Sequence, residues 1–437
     1  LFLAFSILLL ACNSKKQESD ENFVGGPQRF ELLSSDKTGI NFSNTLQENY
    51  VYNIINYEYL YNGGGVAIGD INNDGLPDVY FTATFGSNKL YLNKGSLQFE
   101  DITDRAGVAA NAGFKTGVTM ADVNGDGYLD IYVCRTSQED DKQKDNYVYI
   151  NNKDLTFTNK AQEYNLAGNA NTNHAAFFFF YLDGDLDLFM MNHRVGFEQA
   201  TKTRLKQNND GTIVRETFPL TPFESCRLYR NDNEKFTDIS AQVGLNTSAF
   251  SLSATVADID LDNYPDIFVS NDYIEPDFVL MNNKKGGLVD RYSDFLKHGS
   301  QNSMGSDVAD VNNDGLPDII SLDMISEDPF RYKQLMNIMQ FERYNLLLKY
   351  GYGNQASRNM LHLNQGNNTF SEIAQLAGIS NTDWSWSTSF ADYDNDGFKD
   401  IYITNGYRRD VTDNDYMVYT RDSIEKSGGV SARRYPD

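Results

Sequence analysis

A nine-residue phrase that keeps returning limits this chain more than any other feature. It reads Asp70-Ile71-Asn72-Asn73-Asp74-Gly75-Leu76-Pro77-Asp78, then Asp122-Val123-Asn124-Gly125-Asp126-Gly127-Tyr128-Leu129-Asp130. It recurs from Asp258 through Asp260, Asp262, Asn263 and Tyr264 to Asp266, and from Asp310 through Asn312, Asp314, Gly315 and Leu316 to Asp318. A fifth intact copy runs from Asp392 through Asp394, Asp396, Gly397 and Phe398 to Asp400, and a degenerate one from Phe179 to Asp187. Self-similarity at a fixed period implies one supersecondary unit repeated, each unit burying its apolar face against the next.

The flanks say what the unit is. A small, apolar run precedes each phrase (Val66, Ala67, Ile68) and a β-branched, aromatic run follows it (Val79, Tyr80, Phe81, Thr82). A second signature, Leu90-Tyr91-Leu92-Asn93, is echoed at Val148 to Asn151, Leu228 to Asn231 and Leu361 to Asn364. A third runs from Phe99 to Gly107, from Phe236 to Gly244 and from Phe370 to Gly378, with the same offset each time. Short alternating runs between turn residues read as four strands per unit. Units starting at 70, 122, 179, 258, 310 and 392 have the length of β-propeller blades, so the fold class is all-β, with six blade signals. The two long intervals imply insertions, one polar and loop-like at roughly 194–224. The other, at roughly 324–358, holds Leu335, Met336, Met339, Leu346 and Leu347 in a helix-compatible run that should pack against the propeller.

Phe30 to Gly39 matches the third signature with one extra residue, and no first, second or third strand precedes it. After Asp400 no further Leu-Tyr-x-Asn phrase follows. The expectation is a propeller of seven blades when complete, occupying 29–437, broken within its sixth and closed by a lone outer strand.

Carboxylates and amides at positions one, three, five and nine of a tight loop, with the carbonyl of position seven, supply what a hard cation needs. Glycine at position six permits the bend, and Asn263 there is tolerable because asparagine visits the left-handed region. The phrases hold no Cys or His, which disfavours zinc, copper and iron; magnesium, which keeps more of its water, is second to calcium. Turn formation alone would also use Asp, Asn and Gly, but not every ligand position in five copies. About five calcium ions would take the formal charge of −24 to about −14. An acidic surface of this size argues against nucleic acid as a partner.

The phrase with its strands resembles the FG-GAP repeats of VCBS-type bacterial proteins and of integrin α-chain propellers, over roughly residues 60 to 410. That resemblance implies side-chain ligands Asp70, Asn72, Asp74 and Asp78 with the carbonyl of Leu76, and the same positions in the other intact loops: Asp122, Asn124, Asp126, Tyr128, Asp130; Asp258, Asp260, Asp262, Tyr264, Asp266; Asp310, Asn312, Asp314, Leu316, Asp318; Asp392, Asp394, Asp396, Phe398, Asp400. In the third loop Phe179 and Tyr181 replace the ligands at positions one and three, and no calcium is expected there.

Leu1 to Ala11 form an apolar run too short to span a bilayer, ending at Cys12 before a polar stretch. This matches a secretory signal (1–11) whose Leu9-Leu10-Ala11-Cys12 resembles the lipobox of bacterial lipoproteins, with 12–28 as a flexible tether. Cys134 and Cys226 then remain; burial is the expectation for Cys134, with pairing between the two left open. The whole chain resembles the large FG-GAP lipoproteins of Bacteroidota-like bacteria, many of which carry an ASPIC/UnbV module. The resemblance implies the outer membrane and glycan or nutrient uptake.

The functional expectation is a non-enzymatic binding or scaffold module for a protein or glycan partner, touching the membrane only through its lipid. The alternatives are a polysaccharide lyase or hydrolase on a propeller scaffold and a structural adhesion protein. The sequence shows no nucleophile elbow and no zincin phrase, and its four histidines (His174, His193, His298, His362) read as structural. Trp384 and Trp386, two residues apart on one strand, are expected to share a face. They read as blade packing or as a sugar-stacking platform.

Overall fold

A computed structural model describes residues 30–49, 52–54, 56–137, 144–335, 341–406, 408, 413–415 and 419. The signal, the tether and Cys12 lie outside them. The chain divides into two units, Leu1–Ser34 and Ser35–Asp437, and the second is a β-propeller.

Alternating apolar runs and the tight loops between them fold into successive antiparallel meanders. Blade one is β1 (Val66–Gly69), β2 (Asp78–Phe81), β3 (Lys89–Asn93) and β4 (Phe99–Asp101). Blade two is β5 (Phe114–Ala121), β6 (Asp130–Thr136), β7 (Tyr147–Asn151) and β8 (Phe157–Asn159). Blade three starts with β9 (Thr172–Phe178) and β10 (Asp187–Asn192). An inserted hairpin of β11 (Leu205–Gln207) and β12 (Ile213–Arg215) comes before β13 (Arg227–Asn231) and β14 (Phe236–Asp238). Blade four is β15 (Phe250–Ala257), β16 (Asp266–Asp272), β17 (Phe278–Asn282) and β18 (Leu288–Asp290).

Blade five follows β19 (Gly299–Ser300) with β20 (Ser306–Ala309) and β21 (Asp318–Ser321). After β22 (Met324–Ile325), the helices Pro329–Leu335 and Phe341–Lys349 and β23 (Gln355–Ala356), it closes with β24 (Met360–Asn364) and β25 (Phe370–Glu372). Blade six contributes β26 (Asp383–Ala391) and β27 (Asp400–Asn405), with β22 pairing against the start of β26. The first insertion is thus a β-hairpin rather than a plain loop, since Leu205↔Arg215 and Gln207↔Ile213 pair across a turn.

Each blade buries apolar side chains against the next: Tyr80, Leu90, Ile131 and Val133 share one cluster between blades one and two. The ends of the series differ. Val66 and Ile68 of β1 are 55% and 67% exposed, whereas Val118, the counterpart of Val66 in β5, is 7% exposed. Tyr402 in β27 is 52% exposed where Tyr80 and Tyr132 are buried. The flank of blade one facing away from blade two and that of blade six facing away from blade five therefore have no neighbouring sheet among the described residues. The helix Ser35–Thr38 and Gly39 (φ 78°) repeat the tail of blade one, helix Thr103–Ala106 and Gly107 (φ 75°). Gly39 lies against the Phe99 carbonyl of β4 as Gly107 lies against that of Phe157 in β8.

Because strands alternate in direction, the one-to-two connections emerge on one face of the propeller and the two-to-three connections on the other. Both insertions leave from two-to-three connections. The first interlocks there with the tyrosine-rich segment before blade one: Tyr57, Tyr59, Leu60, Phe114, Phe218 and Phe250 are buried in one cluster. Tyr352 of the second insertion accepts from the Arg204 N–H at 2.9 Å, and Arg215 of the hairpin pairs with Glu275 and stacks on the Tyr352 ring. Leu347 packs with Ile274 and Tyr352, as expected of that run, while Met336 and Met339 lie outside the described residues. Cys134 and Cys226 are buried and free, so the two do not pair.

Candidate metal loops and the opposite face

All six phrases adopt one loop shape. Position six is left-handed throughout (Gly75, Gly127, Gly184, Asn263, Gly315, Gly397), and so is position four (Asn73, Gly125, Leu182, Leu261, Asn313, Asn395). The expectation covered only position six, because Leu182 and Leu261 hide the Asn/Gly preference at position four. Two left-handed residues separated by one turn the loop back on itself, so that its N–H groups face inward. Asp70 at position one accepts from Asn72, Asp74 and Gly75, the last at 2.7 Å, and Asp74 at position five accepts from Leu76 N–H at 2.8 Å. Position five receives the position-seven N–H in the other intact loops too, from Tyr128, Tyr264, Leu316 and Phe398.

The oxygens converge. One from each of Asp258, Asp260 and Asp262 lie within 4.8 Å of one another, as do oxygens of Asp392, Asp394 and Asp400. In the other loops the amide at position three leans on position five: Asn72 on Asp74 at 2.9 Å, Asn124 on Asp126 at 3.1 Å and Asn312 on Asp314 at 3.0 Å. Hard oxygen donors on a bent loop fit a calcium ion of six to eight ligands. Loop two and loop four also hold an ammonium, Lys153 at 3.4 Å from Asp126 and Lys284 at 2.8 Å from Asp262.

Position nine has a second job that its ligand assignment did not anticipate. Asp78, Asp130, Asp266 and Asp318 are fully buried. Each accepts the position-two N–H on one oxygen and, on the other, the N–H of the asparagine ending the third strand. Burial, with repulsion from Asp126 and Asp122, pushes the Asp130 carboxyl up to about 7 despite those two bonds. The asparagine is the recurring end of the Leu-Tyr-x-Asn signature, and from blade two onward its side chain reaches the preceding blade. Asn151 donates to the carbonyl of Ile71 at 2.8 Å, and Asn231, Asn282 and Asn364 reach Val123, Phe180 and Ile259 in the same way. Neighbouring loops are also tied directly where position four is asparagine: Asn73 to the Gly127 carbonyl and Asn313 to that of Gly397, both at 2.9 Å.

In the third loop Phe179 is 46% exposed, Phe180 is buried, and Tyr181 packs edge-on to Phe180 and over Gly286 of the next blade. The bend survives while Asp183 keeps only a hydrogen bond from Asp185. The loop shape therefore does not require the oxygen-bearing side chains at positions one and three, which the intact copies carry in addition.

On the opposite face, Tyr57 shares a hydrogen bond with His193 Nε2 at 2.9 Å, and Tyr59 donates to Asp272 at 3.2 Å. Burial holds His193 down at about 3 and pushes Asp272 well up. His362 is likewise buried and lowered to about 3. Trp384 and Trp386 do not share a platform. The register of β26 against β27 shifts between Ser385 and Ser387, a bulge at Trp386 that breaks the alternation. Trp386 lines a 450 Å³ central shaft with Gly65, Gly117, His174 and Gly305, whereas Trp384 lines a separate 680 Å³ cavity beside the second insertion.

Residues 70–133, 262–321 and 350–403 match the model of an FG-GAP-like repeat. A 72-residue stretch is 40% identical to cartilage acidic protein 1 of Xenopus tropicalis, covering 16% of this chain and 11% of that protein's length. Among solved structures the chain is similar to an Agrocybe aegerita lectin that recognises non-reducing terminal N-acetylglucosamine (TM-score 0.41, 16% identity, 78% of this chain and 74% of that one). It is also similar to a biofilm matrix protein of V. cholerae (TM-score 0.31, 13% identity, 62% and 36%).

Proposed function

We propose that this β-propeller of FG-GAP-like repeats is an exported binding module that holds calcium in its intact loops, presents its opposite face to a protein or glycan partner and does no catalysis. The convergence of three carboxylate oxygens within 4.8 Å in loops four and six carries the reading. Unscreened carboxylates that close repel one another, and a divalent ion turns that repulsion into a cross-link. The side chains of Asp258, Asp260 and Asp262 would hold it in loop four, and the equivalent positions in the other intact loops.

Binding to the native state alone adds about 3 kcal/mol per site at a hundredfold excess over the dissociation constant. Thermal melts of the full chain with calcium, with magnesium and with chelator test this. A midpoint that chelation leaves unmoved overturns the calcium assignment, and an equal shift with magnesium overturns its selectivity.

The module is proposed to sit at the outer membrane as a lipoprotein anchored through Cys12. Support comes from the short apolar run ending in Leu-Ala-Cys and from the polar stretch after it. Cys12→Ser should release the protein from the membrane fraction; retention equal to the wild type counts against the anchor.

A further inference from the structure

We infer that the 680 Å³ cavity between blade five, its inserted helices and β26 is a saccharide site, an assignment that rests on the binding-module reading and gives it a place and a ligand class. The walls combine aromatic rings from three elements with amide and carboxyl groups. Trp384 comes from β26, Tyr332 from the first inserted helix and Tyr344 from the second, while Gln301, Asp323 and Gln355 supply the polar groups.

These groups are held in place. Met324 of β22 pairs with Trp384, and Arg331 of the first helix grips Asp383 next to it at 2.9 Å and 3.1 Å. The Tyr344 hydroxyl donates to Asn354 at 2.6 Å. Asp323 is buried and accepts from the Ser300 hydroxyl at 2.6 Å and from Asn302 N–H at 3.1 Å. Gln355, also buried, donates to the carbonyls of Ile274 and Tyr352, leaving its Oε1 without a hydrogen-bond partner among the described residues.

The chemistry of the walls selects the ligand. Ring faces carry negative charge density and suit the C–H face of a pyranose. Primary amides both donate and accept, which matches adjacent hydroxyls better than it matches a charged group. Arg358, the cation in the wall, has its charge offset by Glu372 at 2.7 Å from its Nη2, while its Nη1 has no hydrogen-bond partner among the described residues and is left to donate to a hydroxyl. The volume falls within the range of small-ligand pockets and exceeds what one sugar ring needs.

The two tryptophans make the test direct. In Trp386→Phe the only indole left is the one in the cavity. Its emission is titrated in the calcium-loaded full chain with N,N′-diacetylchitobiose, cellobiose, maltose and lactose, up to about tenfold above a millimolar dissociation constant. A saturable change with at least one disaccharide is expected, weakened at least about tenfold in both Tyr332→Ala, on the exposed side of the inserted helix, and Gln355→Ala. Flat titrations with all four, or a response that survives both substitutions, overturn the site. So does a response confined to Trp384→Phe, which leaves the shaft indole as reporter. If calcium stabilises the fold while no sugar binds, the cavity assignment fails and the module reading stands. A melt insensitive to chelation removes the calcium assignment instead, and the sugar titrations still decide the cavity.

Discussion

Asn151 at the end of β7 is the best place to measure how blades hold one another. Its Nδ2 donates to Ile71 in the preceding blade at 2.8 Å and to Leu129 in its own at 3.1 Å, and its Oδ1 accepts from Lys153 N–H at 2.8 Å. Asn93, the same residue in blade one, donates only to Pro77 in its own blade at 2.9 Å and accepts from Gly95. Replacing either by alanine keeps the backbone N–H that serves Asp130 or Asp78. The two substitutions therefore differ by one bond, the one that crosses between blades. A net hydrogen bond is worth about 1 kcal/mol, and stranding a buried carbonyl costs about 1–3 kcal/mol. Asn93→Ala should cost about 1–2 kcal/mol and Asn151→Ala about 1–2 kcal/mol more, because Ile71 is buried and its carbonyl has no water to turn to. Urea denaturation of both variants gives the difference, first with calcium and then with chelator. The gap should persist in chelator, since the bond does not pass through a metal. Equal losses for the two variants would refute the staple, and a gap seen only with calcium would show that it acts through the loop.

Asp126→Ala in loop two should sharply reduce the gain in melting temperature on adding calcium, whereas Asp183→Ala in loop three should change it little; equal calcium dependence would show that loop three has been misread. His193, held near 3 by burial, binds its proton less readily folded than unfolded, so its contribution is full above about 6.5 and is lost as pH falls toward 3. His193→Gln should flatten that part of the stability profile, and an unchanged profile between wild type and variant would exclude His193 as its source.

The blades were legible because their determinants are local. A loop phrase, a β-branched run and a recurring Phe-to-Gly spacing all repeat within one chain, and each is satisfied inside one meander. What escaped is what joins one meander to the next. Nothing in Leu-Tyr-Leu-Asn tells that its asparagine ends against the loop of the preceding blade, or that the aspartate of position nine anchors the third strand of its own blade. The separation of Trp384 from Trp386 escaped for a different reason, since one bulge in β26 defeats the two-residue alternation on which a shared face depends. The roof on the far face rests on Tyr52, Tyr57, Tyr59 and Tyr61, an unusual density of tyrosine that could have drawn attention to the segment. The partners of Tyr57 and Tyr59, His193 and Asp272, lie far along the chain, and no spacing rule connects them.

The asymmetry between the two faces also says where this scaffold accepts foreign sequence. On the loop side several connections are stitched to a neighbouring blade, from Asn73 to Gly127, from Asn151 to Ile71 and from Asn313 to Gly397, so lengthening one of these breaks a bond in another blade. The two-to-three turns are tied across blades as well, the Gly86 carbonyl accepting from Lys115 of blade two at 2.7 Å, yet two of them already accommodate a hairpin and a pair of helices. A designed recognition loop grafted at the short, exposed turn of blade one should therefore keep Gly86, whose carbonyl holds the buried Lys115. Natural diversification of such propellers should likewise favour that side, where a hairpin and a pair of helices coexist with the bonds that join the blades.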